Sequence, residues 1–299
     1  MKKPASKPLI SMASQPKLVV ILGQTATGKT GLSLEIAKRH NGEIICADSR
    51  TIYKGMDIGT AKPNQTEQKE VKHYLLDVVE PNNSYSVVEF KTNAEKYIKK
   101  IRENGKLPVI VGGSGLYLDA IIFDYQFRGE TGLDISEMTD EQKLLLAHKL
   151  YPNEMTKMDS KNIRRVEQLL TRGPAKTLDR NSVKLPCKII GLELEKPLLK
   201  QNIEKRTDSM LNNGFVQEVK NLRTKYGRDC IALSTTGYAQ VCDYLDGIID
   251  KSELKQSIVK ATLKLAKKQA TWFKRNKQVV WCDSPKKATA VIEQYLKEI

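Results

Sequence analysis

Residues Gly23-Gln24-Thr25-Ala26-Thr27-Gly28-Lys29-Thr30 satisfy G-x-x-x-x-G-K-[ST] at every fixed position. That spacing suits one kind of chemistry, the cradling of phosphate oxygens. Glycines let successive backbone N–H groups converge on an anion, and the N-terminus of a following helix adds its positive end. The Lys29 ammonium has the length to reach an outer phosphate, and the Thr30 hydroxyl is the type of oxygen that ligates Mg²⁺. Nucleotides and prenyl diphosphates present the same oxygens, so the loop alone does not choose between them.

Asp48 is the next chemically competent group. It stands in Asp48-Ser49-Arg50-Thr51, directly after the apolar run Glu43-Ile44-Ile45-Cys46-Ala47. A carboxylate there suits proton abstraction or metal contact; capping a helix N-terminus is its structural alternative. Gly112-Gly113-Ser114-Gly115, after Leu107 to Val111, is a second glycine loop with the same placement.

These groups need a parallel sheet to bring them together. Leu18 to Leu22 is short, apolar and β-branched, as a buried parallel strand is. The phosphate loop follows it, and Leu32, Leu34, Ile36 and Ala37 then recur in a helix ending near His40-Asn41-Gly42. Further strands are predicted at Glu43 to Ala47, His73 to Val79, Leu107 to Val111, Cys187 to Leu194 and Val279 to Asp283. Ser86 and Glu89 form a capping box that opens a helix to about Asn104, with Gly105 as its stop. Further helices are predicted over Leu198 to Asn213, Phe215 to Tyr226 and about Lys251 to Asn276. In the last, Leu254, Ile258, Ala261, Leu265 and Trp272 recur at helical spacing as the core face. The expected fold is α/β, a P-loop NTPase-like, mostly parallel sheet flanked by helices. In such sheets the ligand lies at the C-terminal strand edge.

The strand pattern fades between residues 124 and 186, where Thr139 to Leu150 and a segment starting at Asp159 read as helices. The expected organisation is a flexible lead-in over 1–16, a first core segment over 17–123, a helical insertion domain over 124–186, and a second core segment over 187–299. The chain of 299 residues carries a net charge of +15. That balance favours a polyanionic partner. Lys255, Lys260, Lys264, Lys267, Lys268, Lys274 and Arg275 lie on the last long helix. The five cysteines show no C-x-x-C and the three histidines no metal spacing, so reduced thiols and a cytoplasmic location are expected. No apolar run approaches the roughly 20 residues of a membrane span.

Several stretches together resemble the tRNA dimethylallyltransferase (tRNA isopentenyltransferase) family of bacterial type. GQTATGKT is similar to its pyrophosphate loop. Asp48-Ser49-Arg50 with Ile52 to Pro63, IYKGMDIGTAKP, resembles its most diagnostic signature. Pro108 to Tyr117 resembles the next, with Ser114 where the family usually has Thr. Asn162 to Val166 and Ala266 to Phe273 also fit. Two departures stand out: Thr235-Thr236 precedes Gly237-Tyr238 in place of a more apolar sequence, and the stretch from Tyr117 to Asp159 is short for the family. No tRNA contact is assigned between Asp124 and Leu150.

The resemblance implies a monomer that binds Mg²⁺, dimethylallyl diphosphate and the anticodon stem-loop of a tRNA. Asp48 would be the general base, with Thr25 near the allylic end and Arg206 on the diphosphate. Asp48, Ser49, Arg50, Thr51 and Ser114 would line the path of a flipped adenine. Lys161, Asn162, Ile163, Arg164 and Arg165, with the basic C-terminal helix, would hold the stem-loop. The main rival is a small-molecule or nucleoside kinase on the same phosphate loop, which the signature from Asp48 to Pro63 argues against. A prenyltransferase of free adenine nucleotides is disfavoured by the basic helix. A non-catalytic RNA-binding protein is disfavoured by the intact Lys29, Thr30 and Asp48.

Overall fold

A computed structural model describes residues 17–125, 131–160, 162–173 and 183–298. The lead-in over 1–16, and Lys161 among the candidate tRNA contacts, lie outside the described residues. The chain divides into two compact units. One comprises Met1–Asp124 with Arg180–Ile299, the other Tyr125–Asp179.

The larger unit runs β1 (Val19–Gly23), α1 (Lys29–Arg39), β2 (Gly42–Cys46), α2 (Gln65–Glu70), β3 (His73–Tyr74), α3 (Val87–Glu103), β4 (Leu107–Gly112) and α4 (Gly115–Ile122). The smaller unit holds α5 (Asp140–Leu150), α6 (Pro152–Met155) and α7 (Ile163–Arg172). The chain then returns through β5 (Lys188–Leu192), α8 (Lys196–Asn212), α9 (Phe215–Tyr226), α10 (Tyr238–Leu245), α11 (Lys251–Phe273), β6 (Val280–Cys282) and α12 (Pro285–Lys297).

The six strands form one sheet in the order β3-β2-β4-β1-β5-β6, and every neighbouring pair is parallel. β1 lies inside the sheet, and all five of its residues are buried, as suits a strand covered on both faces. One face packs Val19, Ile21, Ile44, Val109 and Ile190 against Leu32 and Ile36 of α1 and Ala288 and Ile292 of α12. The register places Leu22 opposite Gly112 and Cys46 opposite Val111, so the loops after β1, β2 and β4 leave from one edge. The chain moves from β1 outward to β2 and β3, then returns to insert β4 between β1 and β2.

Local signals set most helix ends. The Ser86–Glu89 box closes reciprocally at the start of α3, and Gly105 beyond its end has φ of 68°. Thr139 caps α5 in the same way with Gln142. The strand expected from His73 to Val79 is cut to two residues. Leu75 and Asp77 take left-handed φ of 63° and 52°, which breaks the ladder. The apolar face of α11 also differs from the expected stripe. Leu254 and Ile258 pack with the α9–α10 layer, Val259 and Ala266 with Leu199 and Ile203 of α8, and Phe273 is buried, whereas Ala261, Leu265 and Trp272 are only half-buried.

The segment Ile52 to Pro63 is an irregular loop with a core of its own. Ile52, Tyr53 and Met56 are buried against Phe215, Val219, Leu222 and Tyr238. The smaller unit packs Ala147, Met155, Val166, Leu169 and Leu170 together, and Lys143 pairs with Glu167 at 2.7 Å. Among the described residues, no helix is long and apolar enough to cross a membrane.

Candidate active site

The loop between β1 and α1 has the backbone its sequence demands. Gly23 and Gly28 have φ of 146° and 91°. A side chain on Gly23 would also strike the Leu192 carbonyl, 2.4 Å from the ideal Cβ position. Ala26 is forced to φ of 62°, a costly conformation for a residue with a Cβ. The Thr27 hydroxyl donates to the Gln24 carbonyl at 2.8 Å, and the Lys29 ammonium donates to the same oxygen. Turning Lys29 to a phosphate oxygen exchanges that neutral acceptor for a charged one.

The loop forms one wall of a cleft of about 460 Å³. Thr25, Lys29, Thr30, Asp48, Arg206 and Gln269 are among its lining residues, so the sheet edge collects groups from the loops after β1 and β2 and from α1, α8 and α11. Arg206 is half-buried and donates through Nη1 to the Thr25 hydroxyl at 3.2 Å and through Nη2 to the Thr60 carbonyl at 3.2 Å. Its acidic helix neighbours are engaged elsewhere, Glu204 with Lys200 and Asp208 with Lys255. Burial lowers the Lys29 ammonium to about 7; the Asp48 carboxylate opposes this shift and the Arg206 guanidinium adds to it. Burial also lowers the Arg206 pKa, again with Asp48 opposing.

Asp48 does not cap a helix. Its Oδ1 accepts the Arg50 N–H at 2.9 Å, which closes a tight turn after β2, and among the described residues Oδ2 takes no hydrogen bond. The Thr51 side chain is buried, with its hydroxyl 3.4 Å from the Asp48 carbonyl. Ser114 accepts the Ser49 N–H at 2.8 Å and donates to the Ser49 hydroxyl at 3.1 Å, joining the loops after β2 and β4. Arg50 is exposed.

Two positioning groups were not assigned from the sequence. Gln269 on α11 accepts the Thr25 N–H at 2.8 Å and donates to the Gly113 carbonyl at 3.0 Å. Glycine at 113 leaves room for this approach, since a Cβ there would lie 2.4 Å from Gln269 Nε2 and push that amide aside. Buried Lys62 donates to the Tyr53 carbonyl at 2.9 Å and pairs with Asp57 and Asp77, both at 2.6 Å. A signal was present in both cases, because Lys62 and Gln269 lie inside the quoted motifs.

Thr30 is exposed at the start of α1, and its hydroxyl makes no hydrogen bond among the described residues. Among those residues no group of three or more His, Cys, Asp or Glu side chains could hold a metal. The Thr30 hydroxyl is an oxygen of the type that can join a substrate's phosphates around a hard cation.

Two basic surfaces lie outside the cleft. Lys260, Lys264, Lys267 and Lys268 on α11 are exposed and make no ion pair among the described residues. In the smaller unit, Arg164 and Arg165 are exposed in the first turn of α7. The Asn162 side chain caps that helix by accepting the Arg165 N–H at 3.3 Å, and Ile163 is half-buried.

Residues 51–276 match the family model described as IPP transferase. The chain is 38% identical over 284 residues to a tRNA dimethylallyltransferase of Anoxybacillus flavithermus, an alignment covering 89% of this chain and 90% of that protein. The solved full-length tRNA isopentenylpyrophosphate transferase of Bacillus halodurans superposes with a TM-score of 0.72 at 33% identity, covering 95% of this chain and 98% of that one. The tRNA delta(2)-isopentenylpyrophosphate transferase of Staphylococcus epidermidis superposes with a TM-score of 0.73 at 30% identity, covering 95% and 100%.

Proposed function

The chain belongs to the IPP transferase family, and from that premise we propose that it transfers a dimethylallyl group from dimethylallyl diphosphate to tRNA. The acceptor is the exocyclic amine of the adenine 3′-adjacent to the anticodon, and the other product is pyrophosphate. The observation that carries this reading is the meeting of a phosphate loop, the Arg206 fork and the Asp48 carboxylate in one cleft. A kinase reading accounts for the loop but gives no reason for the relatives' shared activity.

The donor's diphosphate would lie on the backbone N–H groups of residues 23–30 and the N-terminus of α1. Lys29 and Arg206 would offset the negative charge that develops as the allylic C–O bond breaks. The Thr30 hydroxyl would hold Mg²⁺ together with the phosphates; the ion, when bound, supplies further charge neutralisation on the leaving group. Thr25 and Arg206, joined at 3.2 Å, would lie at the junction between diphosphate and allyl group. As the amine nitrogen bonds to the allylic carbon it must shed a proton, and Asp48 Oδ2 would receive it.

A stacked adenine cannot reach the sheet edge, so the base would be flipped out past Asp48, Ser49, Arg50, Thr51 and Ser114. The anticodon stem-loop would rest on the exposed lysines of α11 and, through the insertion over 124–186, on Lys161, Asn162, Ile163, Arg164 and Arg165. Arg164 and Arg165 supply the charge. A cytoplasmic site of action accompanies a tRNA substrate. The test is mass analysis of nucleosides from unmodified tRNA incubated with dimethylallyl diphosphate and Mg²⁺. One added prenyl unit on adenosine is expected without ATP; unmodified RNA, with ATP hydrolysis stimulated by a small metabolite, would favour the kinase.

A further inference from the structure

Glu218, on α9, belongs to none of the motifs considered above, yet its carboxylate is saturated with donors. Oε2 accepts the backbone N–H groups of Asp57 at 2.9 Å and Ile58 at 2.7 Å. Oε1 accepts the Gly59 N–H at 3.1 Å and the Tyr238 hydroxyl at 2.6 Å. Three consecutive amide groups converging on one anion form the kind of backbone concavity that elsewhere holds a phosphate. Here the protein fills it with its own side chain.

The consequence reaches the cleft in two steps. Gly59 is followed by Thr60, whose carbonyl accepts Arg206 Nη2 at 3.2 Å, and Arg206 Nη1 donates to the Thr25 hydroxyl of the phosphate loop. The turn is also pressed onto an aromatic pair, since a Cβ on Gly59 would lie 2.2 Å from the Phe215 ring and 2.6 Å from the Tyr238 ring. Phe215 and Tyr238 meet edge to face at 5.0 Å, and Gly59, Thr60, Arg206, Phe215 and Tyr238 all line the cleft. Without the carboxylate, three consecutive N–H groups of the turn that carries Thr60 lose their acceptor.

We propose that Glu218 is a positioning residue for group transfer: by holding the Asp57–Gly59 turn it aims the Thr60 carbonyl, and through it the Arg206 fork, at the diphosphate end of the cleft. The proposal rests on the prenyltransferase reading. It requires a carboxylate, because two donors face each oxygen, and an amide in the same place would turn an NH₂ group towards one pair of them.

The experiment compares Glu218→Gln with the wild-type full chain. Amide exchange at Asp57, Ile58 and Gly59 should accelerate. The single-turnover prenyl-transfer rate should fall about 10²-fold, as for a misplaced catalytic group. Affinity for tRNA should stay within about twofold, and unfolding should remain cooperative. Faster exchange with an unchanged transfer rate would overturn the proposal and leave Glu218 as an anchor only. Loss of tRNA affinity and transfer in the same proportion would overturn it too. Should Glu218→Gln fail to fold, Glu218→Asp, which keeps the charge on a shorter reach, carries the same comparison. A wild-type chain that transfers no prenyl group sinks the parent reading instead, whatever the exchange shows.

Discussion

Arg206 and Thr25, 181 residues apart in sequence, are joined by a 3.2 Å hydrogen bond from the guanidinium to the loop hydroxyl. The second arm of the same guanidinium holds the Thr60 carbonyl. One planar group thus ties the phosphate loop to the signature loop after β2. A lysine ammonium cannot span both acceptors with this geometry. Arg206→Lys is therefore expected to lower single-turnover transfer by about 10²-fold, the loss typical of removing one preorganised donor from a developing anion. Rapid-quench assays with saturating tRNA check this, and a change below threefold would remove Arg206 from the leaving-group site.

Lys29 predicts a pH signature. Burial lowers its ammonium to about 7, so it is charged below that pH and largely neutral by about pH 8. A bound diphosphate favours the charged form and raises the pKa. Binding at about pH 8 should therefore take up close to one proton, and the affinity that Lys29 confers should weaken as pH rises through 7. Calorimetry with pyrophosphate in buffers of different ionisation enthalpy measures the uptake directly. Lys29→Met should abolish it.

The exposed lysines of α11 predict a salt signature. Each phosphate contact adds about 0.7–0.9 to the log–log dependence of affinity on salt. Replacing Lys267 and Lys268 with Gln should flatten the slope for tRNA by up to twice that amount and leave pyrophosphate binding unchanged. Filter-binding titrations over a range of ionic strength would show it; an unaltered slope would make this surface a solvated face.

What the sequence made legible was local. The phosphate loop, the Ser86–Glu89 box and the exact span of α9 all follow from residues within one turn of each other. The strand expected from His73 to Val79 failed because apolar content does not report φ, and Leu75 and Asp77 turn left-handed. Glu218 was illegible for a different reason: it reads as an ordinary polar helix residue, and its partner Asp57 lies 161 residues away. Gln269 stood inside a quoted motif, but what it holds lies 156 residues away. Lys62 stood inside a quoted motif, but only the fold shows that it is buried against two carboxylates. Asp48 was read correctly as a group at the sheet edge, whereas its structural duty proved to be a tight turn and not a helix cap.

That distinction makes Asp48→Asn the most direct test of the account. Asn accepts the Arg50 N–H as Asp does, so the turn and the melting temperature should be nearly unchanged. It cannot take a proton from the attacking amine at neutral pH. Single-turnover prenylation of an anticodon stem-loop is therefore predicted to fall by about 10²–10⁴-fold, with tRNA affinity preserved. A variant that keeps more than about a tenth of the wild-type chemical rate would contradict the assignment of Asp48 as the general base.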